Sequence, residues 1–381
     1  MVKALRVCYF GTYRSEYSRN QIMIEGLRRA GAEVVICHEP LWHSIEDRVQ
    51  IASGGWVQPG FWWRLLRTYA RLIRRFTKIG EFDILVIGYP GQFDVFPARL
   101  ISWLKHKPLV WDIFMSIYLI SIERGLDIKN PWTVDSLRRI EKVACRLPDL
   151  LIIDTIDYAV WFGEIHNVPS NKFRLVPTGA DETIYYPINE IETTEKIFKV
   201  LYFGTFIPNH GVRYIVEAAH ILKDQPDIQF RLIGDGPDKH EALNMAKEFE
   251  LNNLLFVDWL ETHDLVHQVA DADICLGAFG NTPQSLMTVQ NKIYAGMAMK
   301  KTVITGDSPA IRRVFTHGED IYLCERANPN SLAEAIRHLF NNTSLRARIS
   351  TRGNAVYLSK YTTIKIGEQF LSHLTEIQGV S

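Results

Sequence analysis

An excess of charge of either sign is missing from this chain: 43 lysines and arginines face 43 aspartates and glutamates. No net field remains to gather a polyanion, so nucleic acid is not an expected partner. Cysteine is scarce. Cys8, Cys37, Cys145, Cys275 and Cys324 are odd in number and widely spaced, which argues against a disulfide framework or a thiolate metal site. Four of them fall in strand-like runs and read as small buried hydrophobes of a reducing compartment. No run of about 18 uncharged apolar residues occurs, so no membrane-spanning helix is expected. A strand pattern begins within the first few residues and leaves no room for a signal peptide, making a cytoplasmic location the default expectation. Neither GxGxxG nor a P-loop is present, which weakens dinucleotide oxidoreductase and NTPase readings.

What is present is an ordinary globular composition, 47% hydrophobic and 23% charged over 381 residues, long enough for two domains. Short β-branched runs alternate with amphipathic segments. In the first half the strand candidates are 5–10, 33–37, 84–87, 109–112 and 150–154. In the second they are 198–203, 229–233, 255–257, 274–277, 302–305 and 321–323. Most are too apolar to have a wet face, as in parallel strands covered by helices on both sides. Helical stretches at 212–223, 240–250, 265–270 and 331–341 lie between them. This alternation is the doubly wound α/β pattern. The tetrapeptide Tyr9-Phe10-Gly11-Thr12 recurs as Tyr202-Phe203-Gly204-Thr205, each copy closing an apolar run. The polar, acidic segment 187–197, "PINEIETTEKI", precedes the second copy and reads as a linker. The expected domains are therefore residues 1–190 and 191–360, both Rossmann-like, with 361–381 a helix crossing back onto the first.

Ligands of open α/β sheets bind beyond the carboxyl ends of the strands, where backbone amides can be approached through glycine. Gly11, Gly88 and Gly91 fall at such ends in the first half. Gly204, Gly211, Gly234, Gly236, Gly277 and Gly280 do so in the second. Any one of them is explained as well by a tight turn; together they argue for a ligand in a cleft between domains.

The segments "YFGTFIPNHGVRYIVEAAHIL", "RLIGDGPDK", "LLFVDWLETHDLVHQVADADICLGAFG" and "VQNKIYAGMAMKKTVITGDSPAIRRVF" follow one another in the order of group 1 (family 4) retaining glycosyltransferases of the GT-B fold, which the chain resembles. The likeness is clear over about 198–340. It is looser in "YPGQFD", "LVWDIFMSIY", "LLIIDTIDYAVWF" and "LVPTGADETIYYP". The resemblance implies two Rossmann-like domains facing across a cleft, a nucleotide-sugar donor on the second and a glycan or lipid-linked acceptor at the first. It further implies that no metal or other cofactor is needed. The diphosphate would rest on amides at the start of the helix carrying Asn291–Met299, a place favoured for anions on physical grounds too. Thr288, Asn291 and Lys292 could add hydrogen bonds and a cation, with Gly11, Gly204, Thr205 and Gly234 at the glycine turns of the donor site. Lys292 reads equally well as an exposed helix lysine.

The chain departs from the family where two glutamates eight residues apart commonly hold the sugar and the ribose: Met287 and Ala295 stand there. Lys300-Lys301-Thr302 replaces Gly-Lys-Pro, and Thr205 and His210 replace a basic pair. Losing two charged hydrogen bonds would weaken donor binding by about two to four orders of magnitude unless something substitutes. Catalytic candidates are Asp112, as a contact for the acceptor hydroxyl, and His210, as a phosphate contact; each also reads as an ordinary strand-end or helix-start residue. Asp154 ends a neighbouring strand in the same way. His263 and His267 imitate a zinc motif, but the intervening acid is an aspartate and no third ligand is evident.

The stretch Phe61–Lys78 contains no acid. At about 100° per residue, Arg64, Arg67, Arg71, Arg74, Arg75 and Lys78 share one arc, with Trp62, Leu65, Leu66, Tyr69, Leu72, Ile73 and Phe76 on another. Such a helix, with Trp62, Trp63, Arg64, Arg67 and Arg71 at its start, can lie on an anionic bilayer or hold an acceptor. It can equally cover a sheet with its basic face solvated. The expectation is a hexosyltransferase of polysaccharide or lipid-linked glycan assembly, cytoplasmic and peripheral to the membrane. The alternatives are a non-catalytic binding protein of the same fold and a nucleotide-sugar epimerase.

Overall fold

The computed structural model describes residues 4–41, 59–188 and 197–379; most of the linker expected at 187–197 lies outside them. The chain forms two units, Met1–Pro177 with Thr363–Ser381, and Thr178–Thr362.

The first unit is built on strands β1 (Arg6–Gly11), β2 (Glu33–His38), β3 (Ile84–Ile87), β4 (Leu109–Asp112), β5 (Leu150–Ile153) and β6 (Phe173–Leu175). They pair in parallel in the order β2-β1-β3-β4-β5-β6. β3, β4 and β5 are buried at every residue, the environment their uninterrupted apolar runs require. Helix starts are satisfied locally. The Thr155 hydroxyl accepts from Tyr158 N at 3.2 Å, and the Ser116 hydroxyl from Leu119 N at 3.0 Å. Helix Thr363–Gly379 packs on helix Ser18–Arg29, sending Ile366, Phe370 and Leu374 into the core around Val7, Tyr9 and Leu27. Paired glycines allow this approach: a Cβ on Gly367 would stand 1.9 Å from Gly26 O.

The second unit carries β7 (Phe198–Phe203), β8 (Ile228–Ile233), β9 (Leu254–Val257), β10 (Ile274–Leu276), β11 (Thr302–Gly306) and β12 (Tyr322–Cys324), all parallel, in the order β12-β11-β10-β7-β8-β9. Separate apolar clusters centred on Ile215, Phe230 and Ile336 and on Ile293, Met297 and Tyr357 cover it. In each sheet the strand order reverses beside the first strand, β1 or β7, and the repeated Tyr-Phe-Gly stands at the carboxyl end of each. The repeat thus marks the same topological switch point in two sheets, where an open α/β sheet leaves room for a ligand. The three-residue edge strand β6 was not among the strands expected from sequence, because Arg174 at its centre interrupts any apolar run.

Candidate functional site

In the second unit, four segments meet at the carboxyl end of β7. Gly204 turns at φ +131°, and a Cβ there would come 3.1 Å from Lys292 Nζ, so glycine makes the space the lysine fills. Lys292 projects from the first turn of helix Asn291–Ala298 and is only 6% exposed. Its Nζ lies 3.9 Å from the centroid of the Tyr202 ring and 3.4 Å from His210 Nδ1. The Tyr202 hydroxyl donates to Thr205 O at 2.8 Å. His210 Nδ1 lies 2.6 Å from the same carbonyl oxygen, which can only accept, so the ring proton sits on Nδ1. Burial, followed by the Lys292 charge, holds His210 well below the usual imidazole range. Desolvation likewise pushes the Lys292 ammonium well down, and among the described residues it forms no ion pair. The arrangement is a buried amine beside a neutral histidine at a helix start, chemistry suited to an anion.

The remaining residues expected at the donor site divide. Gly234, at φ +142°, packs so closely that a Cβ would fall 2.0 Å from Gly204 O. It locks the turns after β7 and β8 together. Thr288 is buried, its hydroxyl donating to Gln284 O at 2.9 Å and accepting from Gln290 Nε2 at 3.1 Å; its oxygen is engaged inside the loop. Asn291 opens the helix, and Thr205 contributes its carbonyl as described. Gly11 belongs to the first unit: at φ +136° it rests on Asp94, whose carboxylate accepts from Thr12 N at 2.8 Å and from the Tyr69 hydroxyl at 2.7 Å. Met287 ends helix Pro283–Met287, and Ala295 is buried in the apolar cluster around Ile293.

Arg326 was not singled out from sequence. It follows the short strand β12 and is 8% exposed. Nη1 donates to Gly280 O at 2.8 Å and to Ser285 Oγ at 2.5 Å, and Nε donates to Asp307 O at 2.8 Å.

In the first unit, Asp112 requires a correction. It is fully buried, and both its oxygens accept from the Arg19 guanidinium at 2.7–3.0 Å. An ion pair so enclosed, at the end of an interior strand, keeps the carboxylate from solvent and from an acceptor hydroxyl. Its neighbour Asp154 is buried too and has no side-chain hydrogen-bond partner; only the Arg19 charge and the backbone amides of Asp154 and Thr155 act to keep it ionised. Burial raises it from 3.8 to about 7, Arg19 opposing.

Helix Pro59–Phe76 buries Phe61, Thr68, Leu72 and Phe76. The apolar arc is wider than the buried one. Trp62 (51% exposed), Trp63 (67%), Leu66 (63%) and Ile73 face out with Arg67, Arg71, Arg74 and Arg75. Arg71 and Arg75 pair with Glu39. Among the described residues, no helix is long and apolar enough to cross a membrane, and no group of three or more histidine, cysteine or acidic residues could hold a metal.

Residues 197–342 match the family model described as glycosyl transferases group 1. The chain is 22% identical over 179 residues to alpha-D-kanosaminyltransferase of Streptomyces kanamyceticus, covering 47% of this chain and 45% of that one. It is 20% identical over 301 residues to N-acetyl-alpha-D-glucosaminyl L-malate synthase of Bacillus anthracis, 76% and 74% of the two chains. The chain spans about half the length of the first of these relatives. Among solved structures, Anabaena HepE in complex with UDP-glucose superposes with TM-score 0.70 at 14% identity, over 98% of this chain and 99% of the other. Sucrose-phosphate synthase from Thermosynechococcus elongatus does so with TM-score 0.74 at 13% identity, over 99% and 100%. Residues 197–342 thus belong to the group 1 glycosyl transferases, and the chain has the GT-B fold.

Proposed function

We propose that the protein transfers a hexose-type sugar, with retention, from a nucleotide-diphosphate donor to a glycan or lipid-linked acceptor. The observation that carries this reading is Lys292: a buried amine without a counter-charge, at a helix start, in a cavity left by Gly204. Leaving-group stabilisation is the chemistry such a place can supply. Amides and a fixed cation would take up charge as the diphosphate departs, with no solvent reorganisation needed. The donor class is supported by neighbours crystallised with UDP and UDP-glucose, and transfer by relatives named as glycosyltransferases. No protein nucleophile and no metal is assigned to the step.

The exposed tryptophans and arginines of helix Pro59–Phe76 support peripheral attachment to an anionic membrane, on the cytoplasmic side, where a lipid-linked acceptor would be met.

A second reading, a binding protein without catalysis, is favoured by Met287 and Ala295. The burial of Ala295 among apolar side chains leaves no carboxylate to hold a ribose there. A thermal-shift panel with UDP, GDP, ADP, CMP and dTDP, alone and as sugars, separates the two when followed by product analysis. A ligand at about 100 times its Kd adds roughly 2.7 kcal/mol of stability. A shift with one nucleotide sugar and release of its sugar to an acceptor supports transfer. A shift without turnover supports the binding reading, and no shift at millimolar ligand refutes both.

A further inference from the structure

The turn that carries His210 and Gly211 is packed from behind by the loop after β10. Phe279 N donates to His210 O at 2.9 Å, and a Cβ on Gly211 would meet Gly280 N at 2.4 Å. Ser285 Oγ donates to Asn209 O at 2.7 Å. Arg326 grips the same loop from its other side through Gly280 O and Ser285 Oγ. Every acceptor it uses is a neutral carbonyl or hydroxyl. Its Nη2 is buried and has no partner, and among the described residues it forms no ion pair. The nearby Asp307 carboxylate is taken by Arg312 through both oxygens. Burial pushes Arg326 down to about 10, and Arg326 adds to the forces that keep His210 neutral. A guanidinium held nine-tenths buried, with one nitrogen unbonded and no ion pair, only the Asp307 charge acting on it from beside Arg312, is costly unless an anion completes it.

We infer that Arg326 is the second cationic residue of the diphosphate site, acting with Lys292 across the His210–Gly211 turn in a chain that has Thr205 and His210 where a basic pair is usual. The inference rests on the donor reading above and deepens it. It assigns the anion two cations, one from the first turn of helix Asn291–Ala298 and one from the segment after β12, and it would let a site without the two glutamates hold its donor through the phosphates instead of the sugar.

The test is isothermal titration of the full chain with inorganic pyrophosphate, UDP and UMP, for wild type, Arg326→Gln and Arg326→Lys, with ligand-free melting recorded for each. Wild type is expected to bind pyrophosphate and UDP. Arg326→Gln should weaken both by about 10- to 100-fold, as loss of a charged hydrogen bond does, and weaken UMP less. Arg326→Lys, which keeps the charge but not the fork, should recover most of the pyrophosphate affinity. If Arg326→Gln lowers melting so far that it cannot be titrated, Arg326→Lys decides: retained pyrophosphate binding supports the assignment and its loss refutes it. Unchanged pyrophosphate affinity in Arg326→Gln, or equal weakening of all three ligands, overturns the assignment while leaving the donor reading intact. Pyrophosphate binding that depends on Arg326, without binding of any nucleotide, upholds the anion site and sinks the donor reading. Absence of pyrophosphate binding to wild type at millimolar concentration overturns the anion site.

Discussion

Lys292 Nζ sits 3.9 Å from the centroid of the Tyr202 ring, whose hydroxyl is itself anchored to Thr205 O. The ring face is the nearest thing to a counter-charge the ammonium has in the unliganded protein. A cation over an aromatic face gains roughly 0.5–2 kcal/mol, much less than removing an ammonium from water costs. Burying Lys292 therefore costs folding stability, which under the proposed donor reading a bound diphosphate would offset.

That relationship gives a paired outcome for Lys292→Met. Affinity for UDP should fall about 10- to 100-fold, while ligand-free stability at pH 7 should rise. The sign follows from the depressed folded pKa: between it and the unfolded value the unfolded chain binds more protons, so wild-type stability increases as pH rises toward 10. The variant's advantage should shrink over the same range. Denaturant melts at pH 7 and 10 with titration of UDP check both halves; a variant that is less stable and binds UDP as before would show the amine to be a structural group.

Asp154 behaves in the opposite pH direction. Its carboxyl is raised from 3.8 to about 7, so from pH 4 to 7 the folded state keeps a proton that the unfolded chain releases, and stability declines across that window. Asp154→Asn should match wild type near pH 4 and exceed it above pH 7 by roughly 1–3 kcal/mol. Urea melts across this range are the measurement. A variant less stable than wild type at pH 8 would mean that the Arg19–Asp112 pair depends on ionised Asp154.

Trp62 and Trp63 are exposed on a helix whose opposite stripe is already in the core, so their replacement should leave melting nearly unchanged. Co-sedimentation with phosphatidylcholine–phosphatidylserine vesicles should drop at least about tenfold for the double alanine variant. Failure of wild type to sediment at low salt would remove the membrane from the account and leave the arginines to an acceptor.

The legibility of this chain in its sequence varied with the separation of the residues involved. Strand–helix alternation, the position of β1 and β7 and the helix that starts at Asn291 were readable because each depends on neighbours in sequence. Asp112 was misread because what decides its role is Arg19, 93 positions away. The apolar arc of helix Pro59–Phe76 was legible, but not that Leu66 and Ile73 stay outside while Leu72 goes in; the width of the stripe exceeds what one sheet face covers. Arg326 carried no signal at all. It lies in the polar stretch "ERANPN" beyond a three-residue strand, and its meaning comes from Gly280 and Ser285, more than 40 positions earlier.

By itself the sequence determined two parallel α/β sheets and the glycine turns at their switch points, since backbone preference and apolar periodicity are local properties. Which charges are left without partners was decided only by tertiary structure. Burial and pairing depend on groups brought together from distant segments, and it is the incompletely compensated ones, Lys292, Arg326 and Asp154, that a ligand or a proton can complete.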